Sequence, residues 1–176
     1  MKRLESSAKT PEFTEQFEQL YAQYADDVLR MAYFYLADKQ KAEDVCQDVF
    51  IKLYTRGENI APGREKAWLL RVTVNCCRDL WRSAWLKRVV LGAPSLDIMP
   101  AQDETIEQRE EKAELMRAIH KLPAAFHETI LLHYYQGLGI AEIAQMLDLP
   151  EGTISSRLSR ARKKLESLLK EEATGE

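Results

Sequence analysis

Apolar residues recur every three or four positions along almost the whole chain, and the alternation that marks a β-strand is weak almost everywhere. The pattern predicts an all-α protein. A first helix opens at Thr10-Pro11, a hydroxyl cap followed by a residue whose missing N–H is harmless in a first turn. It carries Phe13, Phe17, Leu20, Tyr24, Val28 and Tyr35 on one stripe and ends near Asp38. A second helix runs from about Lys39 to Tyr54 and stops before Gly57; the segment 58–65 (ENIAPGRE) reads as a loop, and a third helix runs from about Glu65 to Arg88. The next stretch, VVLGAPSLDIMPAQD (89–103), holds Gly92, Pro94 and Pro100 and has no helical period, so a linker and a domain boundary are predicted there. Further helices are predicted at about 105–121, 124–136, 140–147 and 151–170, punctuated by Pro123, Gly137, Gly139 and Pro150. The organisation is two small helical domains, 10–88 and 106–170, joined by a flexible linker over 89–105.

Composition narrows the class. With 176 residues, 45% hydrophobic and 30% charged, the chain can bury one moderate core or two small ones. No apolar run approaches the roughly 20 residues of a membrane span, and the beginning MKRLESSAKT lacks the apolar stretch of a signal peptide, so a cytoplasmic location is expected. The formal net charge of −3 speaks at first against nucleic acid. Its distribution reverses that: 64–88 and 155–164 each carry net +5, whereas 97–114 carries net −5. Local patches, not the chain average, set the field that a polyanion meets.

Candidate chemistry is sparse. Cys46, Cys76 and Cys77 are odd in number and without metal-ligand spacing, and His120, His127 and His133 are scattered; all six are read as packing residues or non-ligands, with no metal or cofactor. No phosphate-cradling glycine loop or nucleophile elbow occurs, which argues against an enzyme and against a small-molecule substrate.

Three helical faces carry the functional signal. In the last helix Ile154, Leu158, Ala161, Leu165 and Leu168 share one stripe at about 100° per residue. The other side presents Ser155, Ser156, Arg157, Ser159, Arg160 and Lys163 without an acidic residue. Upstream, IAEIAQMLDLPEGTISSRLSRA (140–161) has the two-helix spacing around Asp148-Leu149-Pro150 of a helix-turn-helix, whose second helix enters the major groove. In the third helix Leu69, Val72, Cys76 and Leu80 are predicted to face the core, while Arg71, Asn75, Arg78 and Arg82 line the other side with Trp68 and Trp85 at its margins; cations beside aromatics suit opened nucleic acid as well as an ordinary solvated face. In the second helix Ala42, Val45, Cys46, Val49, Phe50 and Leu53 form the buried stripe. Ile51 projects among Asp44, Gln47 and Asp48, an arrangement that fits a contact with a basic protein surface.

Together these segments resemble the extracytoplasmic-function (ECF, group 4) sigma factors of the sigma-70 family. KAEDVCQDVFIKLY (41–54) is similar to the family's region 2.2, KAWLLRVTVNCCRDLWR (66–82) to regions 2.3 and 2.4, and LPAAFHETILLHYYQGLGIAEIAQMLDLPEGTISSRLSRARKKL (122–165) to region 4. The resemblance implies that Asp44, Gln47, Asp48 and Ile51 dock on the clamp helices of the largest subunit of core RNA polymerase. It implies that Asn59, Ile60, Arg64 and Asn75 read the −10 promoter element, with Arg71, Arg78 and Arg82 supporting the DNA backbone. Ser155, Ser156, Arg157, Ser159, Arg160 and Lys163 correspond to the helix that reads the −35 element, and Ser155 departs from the Lys or Arg common there. An anti-sigma factor, often membrane-anchored, is a further implied partner. Two rival readings are a one-component helix-turn-helix regulator, which leaves both the acidic Ile51 face and the Trp68 to Arg82 motif without a purpose, and a helical adaptor that binds protein only, which leaves the acid-free row from Ser155 to Lys164 without one.

Overall fold

The computed structural model describes residues 10–56, 60–91 and 105–173, with the side chains of 83–91 and 172–173 outside that description. Asn59, the side chains of Trp85 and Arg88, and the linker from 92 to 104 therefore lie outside the described residues. Every regular element among those described is helical.

The first unit is three helices: α1 (Pro11–Leu36), α2 (Lys39–Arg56) and α3 (Glu65–Leu91). Thr10 Oγ1 accepts the Phe13 N–H at 3.2 Å and starts α1, with Pro11 in its first turn. The helix closes at Ala37, whose backbone is left-handed (φ 50°) and whose N–H reaches the Tyr33 carbonyl at 2.7 Å. Asp38 follows at once as the cap of α2, accepting the Lys41 N–H at 3.0 Å and meeting Lys41 Nζ at 2.8 Å. A two-residue connection thus folds α2 back onto α1.

Helix α3 differs from expectation in two respects. It continues to Leu91, three residues into the expected linker, because no glycine or proline interrupts it before Gly92. Its buried face is Leu69, Leu70, Thr73, Val74, Cys77 and Trp81, whereas Leu80 is exposed and Val72 and Cys76 are only half-buried. The expected stripe assumed one packing partner. In the fold α3 is covered by α1 and α2 on one side and by the second unit on another, which shifts the stripe toward Trp81.

The second unit comprises α4 (Ile106–His120), α5 (Ala124–Ile130), a π turn (Leu131–Tyr135), α6 (Ile140–Leu147) and α7 (Glu151–Ala173). Thr105 and Gln108 open α4 with a reciprocal capping box, at 3.3 Å and 3.1 Å. The helix expected over 124–136 is split: after Ile130 the turn widens, the Gln136 N–H reaches back five residues to Leu131 at 3.1 Å, and Gly137 (φ 69°) redirects the chain into α6. A search at 3.6-residue period does not register such a step. Between α6 and α7 the turn is made by Asp148 in the left-handed region (φ 55°).

The two units pack on each other. Trp81 of α3 stacks on His127 of α5 with ring centroids 4.1 Å apart, His120 lies 4.9 Å from Trp81, and Tyr35 of α1 meets His127 at 4.9 Å. Phe34 and Tyr135 add a ring contact at 4.2 Å, and His120 Nε2 lies 3.0 Å from the Phe34 carbonyl oxygen. Buried residues from both units form one continuous core. No described helix is long and apolar enough to cross a membrane, and no described cluster of His, Cys, Asp and Glu could hold a metal ion.

Candidate partner and nucleic-acid interfaces

On α2 the core stripe Ala42, Val45, Val49, Phe50 and Leu53 is buried, and Cys46 is half-buried. This orientation leaves Asp44, Gln47, Asp48 and Ile51 facing solvent, with Ile51 52% exposed. Burial in the chain's own core therefore does not account for Ile51. It edges an open groove of about 780 Å³ between α1 and α2, floored by Phe17 and Phe50 and flanked by Tyr21, Tyr54, Glu43 and Asp44. Tyr21 packs edge-on against Phe50 at 4.7 Å and Phe17 against Tyr54 at 5.3 Å, so the aromatic floor is preorganised. Acidic rims around an apolar floor suit a helical partner with basic flanks. Tyr21 and Tyr54 were missed by sequence reasoning; the available signal was an aromatic one turn beyond Phe17 and another one turn beyond Phe50, at the margins of the two buried stripes.

The basic side of α3 is less uniform than its sequence implies. Arg71, Asn75 and Arg82 are exposed, but Arg78 is two-thirds covered. Its Nη2 and Nε contact the two carboxylate oxygens of Glu128 at 2.9 Å and 3.1 Å, and its Nη1 lies 3.5 Å from Asn75 Oδ1. Glu128 is almost fully buried and also accepts the Tyr35 hydroxyl at 3.0 Å. Burial, reinforced by the Glu128 charge, pushes the Tyr35 phenol far above its ordinary value, so Tyr35 remains a donor. Ile60 is half-buried against the core, and Arg64 Nη1 donates to Gln145 Oε1 of α6 at 3.3 Å. Between these groups a cleft of about 490 Å³ is lined by Ile60, Arg64, Trp68 and Arg71 on one side and Leu138 and Gln145 on the other. Glu128 and Gln145 were also missed. The signal for Glu128 was one carboxylate inside the apolar run AFHETILL (125–132).

In the second unit Ile143 and Ala144 of α6 and Ile154, Leu158 and Ala161 of α7 are buried together, which fixes the helix-turn-helix. The Leu149 N–H closes on the Ala144 carbonyl at 3.0 Å, completing the turn. Ser155, Ser159, Arg160 and Lys163 project into solvent. Ser156 and Arg157 are half-buried, and the Ser156 hydroxyl is engaged by the Thr153 carbonyl at 2.9 Å. The free donors of this face are therefore concentrated at Ser155, Ser159, Arg160 and Lys163, with no acidic residue between Gly152 and Leu165 to oppose an anion.

Comparison with known proteins divides the chain along the same lines. The family model for sigma-70 region 2 matches residues 20–87, and that for sigma-70 region 4 matches 112–165. The chain is 32% identical over 157 residues to the ECF RNA polymerase sigma factor SigE of Mycolicibacterium smegmatis, covering 87% of this chain and 61% of that protein. It is 32% identical over 154 residues to the ECF RNA polymerase sigma factor SigM of Mycobacterium tuberculosis, covering 87% and 76%. Among solved structures, the sigma factor RpoE of Bartonella quintana, crystallised with the anti-sigma factor NepR, superposes with a TM-score of 0.72 at 27% identity over 89% of this chain and 98% of that one.

Proposed function

Because the chain belongs to the ECF sigma factors of the sigma-70 family, we propose that it binds core RNA polymerase and directs promoter-specific initiation without catalysing a reaction itself. The observation that carries this reading is the solvent-facing Ile51 in the acidic, aromatic-floored groove of α1 and α2, on the same chain as an acid-free helix-turn-helix face. A DNA-binding regulator needs the second feature only. A polymerase subunit needs both.

Each face takes one task. Asp44, Gln47, Asp48 and Ile51, with Tyr21 and Tyr54 beside them, would receive the clamp helices of the polymerase largest subunit, the apolar floor supplying affinity and the acids orientation. Ile60, Arg64, Asn75 and the neighbouring Asn59 would read the −10 element as opened single strand, with Trp68 at the cleft wall and Arg71, Arg78 and Arg82 on the backbone. Ser155, Ser156, Arg157, Ser159, Arg160 and Lys163 would address the −35 element. There arginine is the best-suited base reader, because its fork matches the guanine edge, while hydroxyls and lysine hold phosphates. Two modest DNA contacts on one polymerase-bound chain gain through effective concentration what neither has alone. The domain limits 10–88 and 106–170 follow from the same assignment.

The solved relative with NepR supports an anti-sigma factor as the regulator of this chain too, competing for the polymerase groove. Sedimentation of the purified chain with core polymerase tests the reading. Co-migration is expected with core polymerase and weak promoter affinity without it. Tight, specific promoter binding by the free chain with no association with core polymerase would assign it to the regulator class instead.

A further inference from the structure

The cluster at Glu128 joins groups that the proposed function assigns to DNA with groups that have no part in it. Arg78 and Asn75 lie on the proposed −10 side of α3. Glu128 belongs to α5 of the other unit and is buried beneath them, steadied by the Tyr35 hydroxyl. Arg64, at the start of α3, is likewise taken by Gln145 of α6. Around these polar contacts the Trp81, His120, His127 and Tyr35 rings seal the junction. The second unit therefore covers part of the face that would meet the opened strand. The α2 groove and the exposed residues of the α7 face stay outside the junction.

We propose that Glu128 is an internal latch. Its carboxylate occupies the Arg78 fork where a DNA phosphate would bind, and thereby holds the free chain in a closed arrangement that masks the −10 side while the polymerase groove remains open. A carboxylate and a phosphate each offer a guanidinium fork a pair of oxygens at similar geometry, so the two compete for Arg78 directly. A closed arrangement lowers apparent affinity for the strand by the fraction of molecules that are open. Polymerase can then engage the chain first through α2, and opening of the Arg78–Glu128 pair delivers the −10 side only afterwards. This inference rests on the assignment of the basic side of α3 to DNA.

The test uses the full-length chain without polymerase and a short fluorescein-labelled oligothymidylate at low salt, where backbone charge dominates single-strand binding. Glu128→Gln keeps the side-chain size and removes the charge that holds the fork. It is expected to raise affinity for the probe on the order of tenfold and to enlarge the radius of gyration measured by X-ray scattering. The double variant Glu128→Gln with Arg78→Gln is expected to open equally and to lose the gain in affinity. Should Glu128→Gln fail to fold by circular dichroism, Tyr35→Phe, which removes only the supporting hydroxyl, carries the same test with a smaller gain. Unchanged affinity and unchanged dimensions in the folded variant would overturn the latch, and so would opening without a gain in affinity. Run-off transcription by wild-type chain with core polymerase is read separately: intact transcription beside an unchanged probe affinity sinks the latch alone, whereas absent transcription sinks the sigma-factor reading.

Discussion

The Trp81 indole lies flat on the His127 imidazole, their planes within 15° and their centroids 4.1 Å apart, and both side chains are fully buried. One ring comes from the first helical unit and the other from the second, so the stack ties the stability of the two together. Trp81→Ala removes the largest buried side chain of the junction and is expected to cost about 3–5 kcal/mol. Trp81→Phe should cost clearly less. Urea denaturation followed by circular dichroism measures both, and a loss under about 1 kcal/mol for the alanine variant would mean that the stack is not part of the stable fold.

Ile51 gives the opposite expectation. Its side chain is half exposed and belongs to no core stripe, so Ile51→Glu should change stability by no more than about 0.5 kcal/mol. Binding to core polymerase should weaken at least about tenfold, the loss typical of an apolar anchor at the centre of a protein interface. Fluorescence anisotropy of labelled chain titrated with core polymerase reads the affinity. Asp48→Arg on the same face is expected to weaken association as well, by placing a cation opposite a basic partner.

Arg160 is exposed on α7 with no acidic neighbour from Gly152 to Leu165. Arg160→Ala is expected to leave polymerase binding intact and to cost about 1–3 kcal/mol of upstream-element recognition. Promoter footprinting of the reconstituted holoenzyme distinguishes this from the α2 variants. The assignment of the two faces is wrong if the defects come out exchanged.

The Asp38 cap carries a pH dependence of known sign. The hydrogen bond from the Lys41 side chain, with the Lys41 N–H and charge behind it, holds the Asp38 carboxyl below the usual carboxylate range. A carboxyl whose folded pKa is depressed stabilises the fold above its unfolded value, about 3.9, and loses that contribution as pH falls through the folded value. Asp38→Ala should therefore cost about 1 kcal/mol near neutral pH, with the gap to wild type closing in acid. Thermal melts of both proteins from neutral to acidic pH check this, and a gap independent of pH would exclude the ion-paired cap.

Asp148 holds the helix-turn-helix turn at φ 55°, a backbone region that glycine enters at less cost than any L-residue. Asp148→Gly should be tolerated, because relief of the left-handed backbone offsets the entropy that glycine adds to the unfolded chain, whereas Asp148→Val, branched at Cβ, should destabilise by about 1–2 kcal/mol. Melting temperatures of the two variants provide the measurement.

The helices and the α2 and α7 faces were legible in the sequence because each rests on local periodicity: Val45, Val49 and Leu53 fix where Ile51 points, and Ile154, Leu158 and Ala161 fix where Arg160 points. The partner of Arg78 was not legible, and Leu80 was placed in a core stripe it does not join. Arg78 meets Glu128 of α5, 50 residues further along the chain, and a single-helix winding contains no information about a second packing partner. Glu128 was hidden for the same cause, since a carboxylate in an apolar run shows its purpose only when Arg78 and Tyr35 are brought to it. The turn at 131–135 escaped because a π turn departs from the period used to find helices.

Run-off transcription on fragmented genomic DNA from the source organism, with products mapped by sequencing, tests the central claim most directly. Core polymerase supplied with the wild-type chain is expected to start at a small set of sites sharing a −10 and a −35 element, and the Ile51→Glu chain is expected to abolish those starts. Initiation by core polymerase that is no more specific with the chain than without it would contradict the account.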